Sequence, residues 1–367
     1  MSQALAARGT DLQVICAARL RDCLDPQSGL FARQISAGRW APTLGTESLT
    51  SSAICLIGLS RAGVPPGAVV DDPADLCGRI AAGIRNAGYA GGAGLLLWAN
   101  SAVRAAAPLT LLAAAGLEPA GLERAIPTFT TMEVAWLASG LLHTDHPALG
   151  AACTAALQEL ERRLVCATLT FRHASAAAPL RHRLRSCIAN FADQIYPLQA
   201  LAFAAIARGE EWRGLADRCG ARLVAVQGPL GQWWWHHDAS TGRVIEGYPV
   251  YSVHQHSMAP MALRCLTAAG GQHHASAIAR SRGWLQANEL GLDLVEPATG
   301  VIWRSIERQE DGISRRLRQA RMLFARAATE EVAPNLTLNR EMRPYEWGWL
   351  LYATAIESGS APFGHIV

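Results

Sequence analysis

Residues 45–59 read Gly45-Thr-Glu-Ser-Leu-Thr-Ser-Ser-Ala-Ile-Cys-Leu-Ile-Gly-Leu59. A polar, acidic start gives way to a small-residue and leucine-rich run that closes near glycine. The same grammar returns at 89–99, 130–141, 192–202, 253–263 and 343–353. Such runs are too apolar for a helix with one wet face, so each predicts a helix covered on both sides. Between them lie amphipathic segments at 151–164, 211–222, 275–288 and 314–328, with charges on one face and apolar residues at helical spacing. Apolar helices alternating with amphipathic ones predict an inner layer sheathed by an outer one.

Composition agrees. Half of the 367 residues are hydrophobic and 17% are charged, below the roughly 25% usual for soluble chains. Extended disorder is excluded and a large core is expected. The length exceeds that of an ordinary single core, which leaves two domains or one large closed architecture. No strong linker divides the chain, so 1–367 reads as one domain, with 174–179 the best loop between its halves. A net charge of +3 points to no polyanion, and nucleic acid is not an expected partner. Every basic residue is arginine, which rules out Schiff-base lysine and P-loop lysine chemistry. The nine cysteines are scattered and never paired as CxxC, as in reduced core residues of a reducing compartment. No leader is visible, and the uncharged 86–103 segment reads as a buried helix rather than a membrane span. The expected location is cytoplasmic.

A second repeat joins the first. Asp25-Pro-Gln-Ser-Gly29, Asp238-Ala-Ser-Thr-Gly242 and Glu296-Pro-Ala-Thr-Gly300 share an acid, a Ser or Thr, and a closing glycine. Each predicts a tight turn in a short β-hairpin, with the glycine at positive φ. Taken together, these repeats resemble the (α/α)-toroid proteins: six-hairpin glycosidases, related polysaccharide lyases and sugar epimerases, and more distantly the prenyltransferase and squalene-cyclase toroids. The resemblance spans nearly the whole chain and lies in repeat style rather than in one motif. It implies an all-α (α/α)6 toroid with β-hairpins at its rim; an unclosed helical solenoid is the alternative.

In a closed barrel the inner-helix starts converge, so the polar residues there are the candidate catalytic groups: Glu47, Glu133, Asp193, His254, His256 and Glu346. Each acid has a plainer reading as a helix-start carboxylate satisfying backbone amides. The segment from 231 to 256 adds Trp233, Trp234, Trp235, His236, Asp238, Glu246, Tyr248, Tyr251 and Gln255 as candidate sugar-binding residues, with Trp347 and Arg343 near the last helix. Aromatic faces stack on sugar rings while polar neighbours bond hydroxyls, and Arg343 would meet a carboxylate. Three successive tryptophans cannot all face one core. His254 and His256, two positions apart, cannot both line one wall of a regular helix, and Pro260 would free the His256 carbonyl.

No fixed metal-ligand spacing is present, so metal-independent acid–base chemistry without a cofactor is expected. The expected function is carbohydrate-active: a hydrolase, lyase or epimerase on a small-molecule, oligosaccharide or polysaccharide substrate. An isoprenoid cyclase is the runner-up, though no DxDD pattern occurs; a non-catalytic binding protein is the third reading. Asp71-Asp-Pro-Ala-Asp75 reads as a loop and helix cap, and the arginine-rich 304–326 stretch as the wet face of an outer helix.

Overall fold

The computed structural model describes residues 9–36, 39–45, 47–296, 300–325, 335–361 and 363. Its helices fall into outer–inner pairs along the chain. Outer α1 (Gly9–Asp22) leads to inner α2 (Ser48–Arg61), and α3 (Pro73–Ala87) to α4 (Ala93–Val103). Two short helices, α5 (Pro108–Ala114) and α6 (Pro119–Ala125), lead to α7 (Thr131–Thr144). Next, α8 (Gly150–Arg163) reaches α10 (Ala192–Arg208) by way of the short α9 (Leu180–Arg183). Finally α11 (Glu211–Ala225) precedes α12 (Ala259–Ala268), and α13 (Ala275–Gly283) precedes α15 (Pro344–Glu357), with α14 (Gly312–Ala325) in between.

The inner helices pack in sequence, α2 on α4, α4 on α7, α7 on α10, α10 on α12 and α12 on α15. Then α15 packs on α2. That last contact closes the ring and excludes the solenoid. Because an outer helix returns the chain between successive inner ones, all six inner helices run the same way. Their N-termini therefore share one face. Most inner-to-outer links, such as 104–107, 145–149 and 209–210, are short, whereas the strands lie in the long links 23–47, 164–191, 226–258 and 284–343, each of which leads into an inner helix.

Local chemistry explains the elements. Asp72 caps α3, accepting from the amides of Ala74 (2.8 Å) and Asp75 (3.1 Å), and Gly88 ends that helix in the left-handed region. The 86–103 segment is therefore not one helix, as expected from its lack of charge, but the tail of α3, a turn and α4. Thr130 and Glu133 form a capping box at α7. At 254–258 the chain opens into a π-turn whose Ala259 amide bonds the His254 carbonyl; Pro260 lacks the N–H that a regular helix would give to His256.

Ring closure needs glycine. A Cβ on Gly58 of α2 would collide with the Gly348 carbonyl of α15, and one on Gly140 of α7 with the Gly94 carbonyl of α4. Backbone thus meets backbone at two inner seams. Lower in the barrel the axis is filled. Trp98 lies 4.8 Å from the ring of His143, 5.5 Å from Phe203 and 5.6 Å from both Trp349 and Tyr352, measured between centroids. Rings from four inner helices form this plug, so any hollow sits above it, at the N-terminal face.

The three turn motifs occur as expected. Gly29, Gly242 and Gly300 all have positive φ, and their amides bond the carbonyls of Asp25 (2.7 Å), Asp238 (2.7 Å) and Glu296 (2.9 Å). One expectation fails. Of the 314–328 segment, 314–325 lie in α14 and 326–328 lie outside the described residues, but α14 is no part of the outer ring; it falls between the paired strands Ser305–Arg308 and Leu336–Asn339 above the rim. The arginines of the 304–326 stretch divide accordingly: Arg315, Arg316 and Arg321 of α14 are exposed, while Arg318 of α14 and Arg304, before the first strand, are paired with carboxylates.

Candidate functional site

The N-terminal face carries two polar groups of residues. On one side, Glu133 of α7 receives the Thr130 amide and hydroxyl (both 2.8 Å), and the Tyr89 phenol lies within range of its charge. Burial first, and then the nearby charges of Glu133 and Glu47, hold that phenol protonated. Beside it Asp193 is fully buried at the start of α10. Its carboxylate accepts from His173 Nδ1 (2.8 Å), the Asn190 amide (3.0 Å) and the Met132 amide (3.2 Å). His173 Nε2 lies 3.1 Å from His182 Nδ1, and Arg181 Nε donates to His182 Nε2 (3.0 Å). With Asp193 taking the Nδ1 proton of His173, the chain of donors runs inward from Arg181 to the carboxylate.

On the other side, Glu346 of α15 is buried and bonded to Arg304 (3.1 Å). Its second oxygen is buried without a hydrogen-bond partner. Burial lifts its carboxyl to about 7, against the opposing pull of Arg304 and Arg343. Arg304 also lies 4.8 Å from the Tyr251 ring centre, and burial pushes the Tyr345 phenol up to about 12. Glu47 is half exposed and pairs with Arg33 and Arg343 (3.1 Å). Trp235 stands edge-on to Tyr251 at 4.9 Å and stacked on His254 at 5.7 Å. Tyr196, which accepts from Trp349 Nε1 (2.8 Å) and packs edge-on against Trp136 (5.4 Å), lies between the two sides.

Other candidates are placed elsewhere. Trp233 is core, donating to Ser281 (2.7 Å), while Trp234 and Trp235 are half-buried. Trp347 is also core, its Nε1 donating to the Gly300 carbonyl (3.2 Å). Asp238 works within its turn, accepting from the Ser240 amide (2.8 Å). Glu246 sits under α14, bonded to Arg308 (3.2 Å) and Arg318. Tyr248 gives its hydroxyl to Glu289 (2.9 Å), and Gln255 is buried against the Tyr251 carbonyl (3.2 Å). Arg343 is already shared between Glu47 and Glu341 (2.8 Å). His173, His182, Arg304 and Tyr345 join the site without having been candidates. His173 and His182 lie in or beside a loop where no periodicity marks them, and Arg304 is masked by the arginine run that follows it.

The histidines of the fifth repeat are held neutral. Burial brings His237 down to about 4 and His256 to about 3, and pulls His236 and His254 well below their ordinary range. A group whose folded-state pKa is lowered contributes stability above its unfolded value, near 6.5, and that stability is lost as pH falls. Unfolding free energy is therefore expected to fall between pH 6.5 and 4, by up to about 1.4 kcal/mol per pH unit for each such histidine. Urea melts of His256→Gln against the parent check this; an unchanged slope would contradict it. Glu346 acts in the opposite sense, losing stability as pH rises from its unfolded value toward 7. A second expected outcome concerns Asp193. Asp193→Ala orphans three donors and is expected to cost about 2–4 kcal/mol, read from denaturant midpoints.

No protein-family model matches the chain, and no curated protein matches its sequence. Solved structures match in shape. An unsaturated glucuronyl hydrolase specific for heparin superposes with a TM-score of 0.60 at 12% identity, over 96% of this chain and 98% of its own. A sugar epimerase from a ruminal bacterium gives 0.60 at 10% identity, over 96% and 99%. The fold is an (α/α)6 toroid. A further unsaturated glucuronyl hydrolase, from Bacillus sp. GL1 and responsible for glycosaminoglycan degradation, gives 0.57 at 12%, over 95% and 96%. At such identities the likeness is one of fold. Among the described residues of the toroid, no helix is long and apolar enough to cross a membrane.

Proposed function

We propose that this toroid is a carbohydrate-active enzyme whose saccharide substrate sits on the face where the inner helices begin. Glu346 carries the reading. A carboxyl at about 7 with one unpaired oxygen, beside Arg304 and within a cluster of tyrosines, can hold a proton at neutral pH and release it to a leaving oxygen. Hydrolysis is the favoured reaction, with Glu346 as the acid and Glu133 or Glu47 activating water. Trp235 and Tyr251 offer ring faces for stacking, with Tyr345 and Arg343 near the sugar hydroxyls or carboxylate. The Asp193–His173 pair fixes the wall opposite. Epimerisation or elimination through His254 is the weaker variant, because that ring is wedged against Phe191 (4.4 Å) and Trp235.

Several carboxylates and histidines surround the rim, whereas an isoprenoid cyclase calls for aromatic walls and an isolated acid. The aromatic rings at the axis are packed on one another and offer no room for a hydrocarbon. Relatives in shape that act on uronyl saccharides and sugars support the reading at the level of fold. In this reading the whole chain works as one cytoplasmic domain without metal, cofactor or nucleic acid. A panel of neutral and uronate-containing oligosaccharides, followed by reducing-end release and by proton NMR, tests it. Turnover of at least one saccharide is expected. Absence of both binding and turnover across the panel would overturn the proposal.

A further inference from the structure

Beside the site, where the C-terminal end of α8 meets the link from α8 to α10, lies an open cavity of about 660 Å³, within the size range of small-molecule pockets. Four chain segments build it: the turn at Pro127 before α7, the end of α8, the loop after strand Thr170–Phe171, and α9 with its following turn. Arg162, Arg163, Arg172 and Arg183 line it with a single carboxylate, Glu159. Four positive charges against one negative leave three in excess.

The pairing within the cavity shows which arginines are committed. Glu159 bonds Arg162 Nε (2.9 Å) and Arg163 Nε (2.8 Å). Arg163 is buried and gives its other nitrogens to the Phe129 carbonyl (2.9 Å), the Thr131 hydroxyl (3.2 Å) and the Pro127 carbonyl (3.3 Å). It braces the start of α7. Arg172 donates only to Cys187 Sγ (3.0 Å), a weak acceptor. Among the described residues, no carboxylate pairs with Arg172 or Arg183. The remaining wall is small: Pro127, Ala174, Ala176 and Ala177 are apolar, and the Ser175 and Ser186 hydroxyls are bonded to the Pro127 carbonyl (2.6 Å) and the Ala174 carbonyl (2.6 Å).

Guanidinium groups that converge in a concave site without matching carboxylates favour an oxyanion, which they bind with paired donors. The volume and the alanine and proline part of the wall leave space for an organic group attached to it. We propose that this cavity, which lies next to the Asp193–His173–His182 group but is lined by other residues, is an anion-binding site for a phosphate or sulfate group carried on a small molecule. The site depends on Arg172 and Arg183 for affinity and on Arg163 for shape.

Isothermal titration of the whole protein with inorganic phosphate, inorganic sulfate, glucose 6-phosphate and glucose 6-sulfate tests this, with glucose and sodium chloride at matched ionic strength as controls. Saturable binding of the anions and none of glucose is expected. Esters binding more tightly than the free ions identify an organic ligand; equal affinities identify the inorganic ion, and the attached group is then dropped from the proposal. Arg183→Ala is expected to weaken binding about tenfold, the loss of one charge-assisted contact, and the Arg172→Ala/Arg183→Ala pair to abolish it. Arg183 is exposed on a four-residue helix, so its variant remains informative if the pair fails to fold. Absence of saturable binding, or binding unaltered in Arg183→Ala, would overturn the assignment. The readout needs no saccharide turnover, so it stands or falls separately from the function proposed for the rim.

Discussion

Replacing Glu346 by Gln is expected to lower kcat on a saccharide substrate by about a hundred- to ten-thousand-fold while leaving the fold intact, the range for loss of a positioned general acid. Gln keeps the shape and can still face Arg304, but it has no proton to transfer. The parent enzyme should lose kcat/KM as pH rises through about 7, where the buried carboxyl ionises. In Glu346→Gln that limb disappears. The variant also reports on stability with a definite sign. A carboxyl raised from its ordinary value favours the folded state in acid, and this contribution fades toward pH 7. The variant should therefore show a steeper loss of stability on acidification than the parent, because the histidines of the fifth repeat act unopposed. Full turnover with an unchanged pH profile would remove Glu346 from the chemistry.

The second large effect concerns closure. Gly58→Val places a branched side chain where α2 meets the Gly348 backbone of α15. Neither backbone can retreat without opening the seam between the last helix and the first. A loss of about 3 kcal/mol or more is expected, above the usual range for overpacking because the obstruction is main chain. Gly348→Val should do the same, since its Cβ would lie 2.8 Å from the Ile54 carbonyl and 3.0 Å from Cys55. Gly78 supplies the contrast. It is exposed on α3 with nothing within 4 Å of an added Cβ, so Gly78→Ala should stabilise by about 0.5–1 kcal/mol through helix propensity. Denaturant melts of the three variants decide the matter; a Gly58→Val protein as stable as the parent would mean that the ring does not close there.

The inner ring is legible in the sequence because burial on all sides leaves only one kind of surface, as in Leu95, Leu96 and Leu97 of α4. Carboxylates in the inner helices gather at the starts, so Glu47, Glu133, Asp193 and Glu346 stand out. Outer helices are legible when long and amphipathic, as α8 and α11 are. Where Pro108, Gly116 and Pro119 cut the chain into two seven-residue pieces, α5 and α6, no period has room to develop. The helix α14 shows the opposite failure: its pattern is correct for a helix, but pattern says nothing of which layer receives it. Pairings across the chain are the least legible. Nothing local joins His173 to Asp193 or Arg304 to Glu346; those contacts exist only once distant loops meet at one face. A capping box and a catalytic carboxylate also look alike in sequence, and the capping box that Glu133 forms does not by itself decide between the two roles.

The most direct measurement is a crystal structure of Glu346→Gln soaked with the saccharide found by screening. A sugar ring against Trp235 or Tyr251, with its glycosidic oxygen within hydrogen-bond reach of residue 346, is the predicted result. A saccharide bound at the opposite end of the barrel, or on the outside of the helices, would contradict the account.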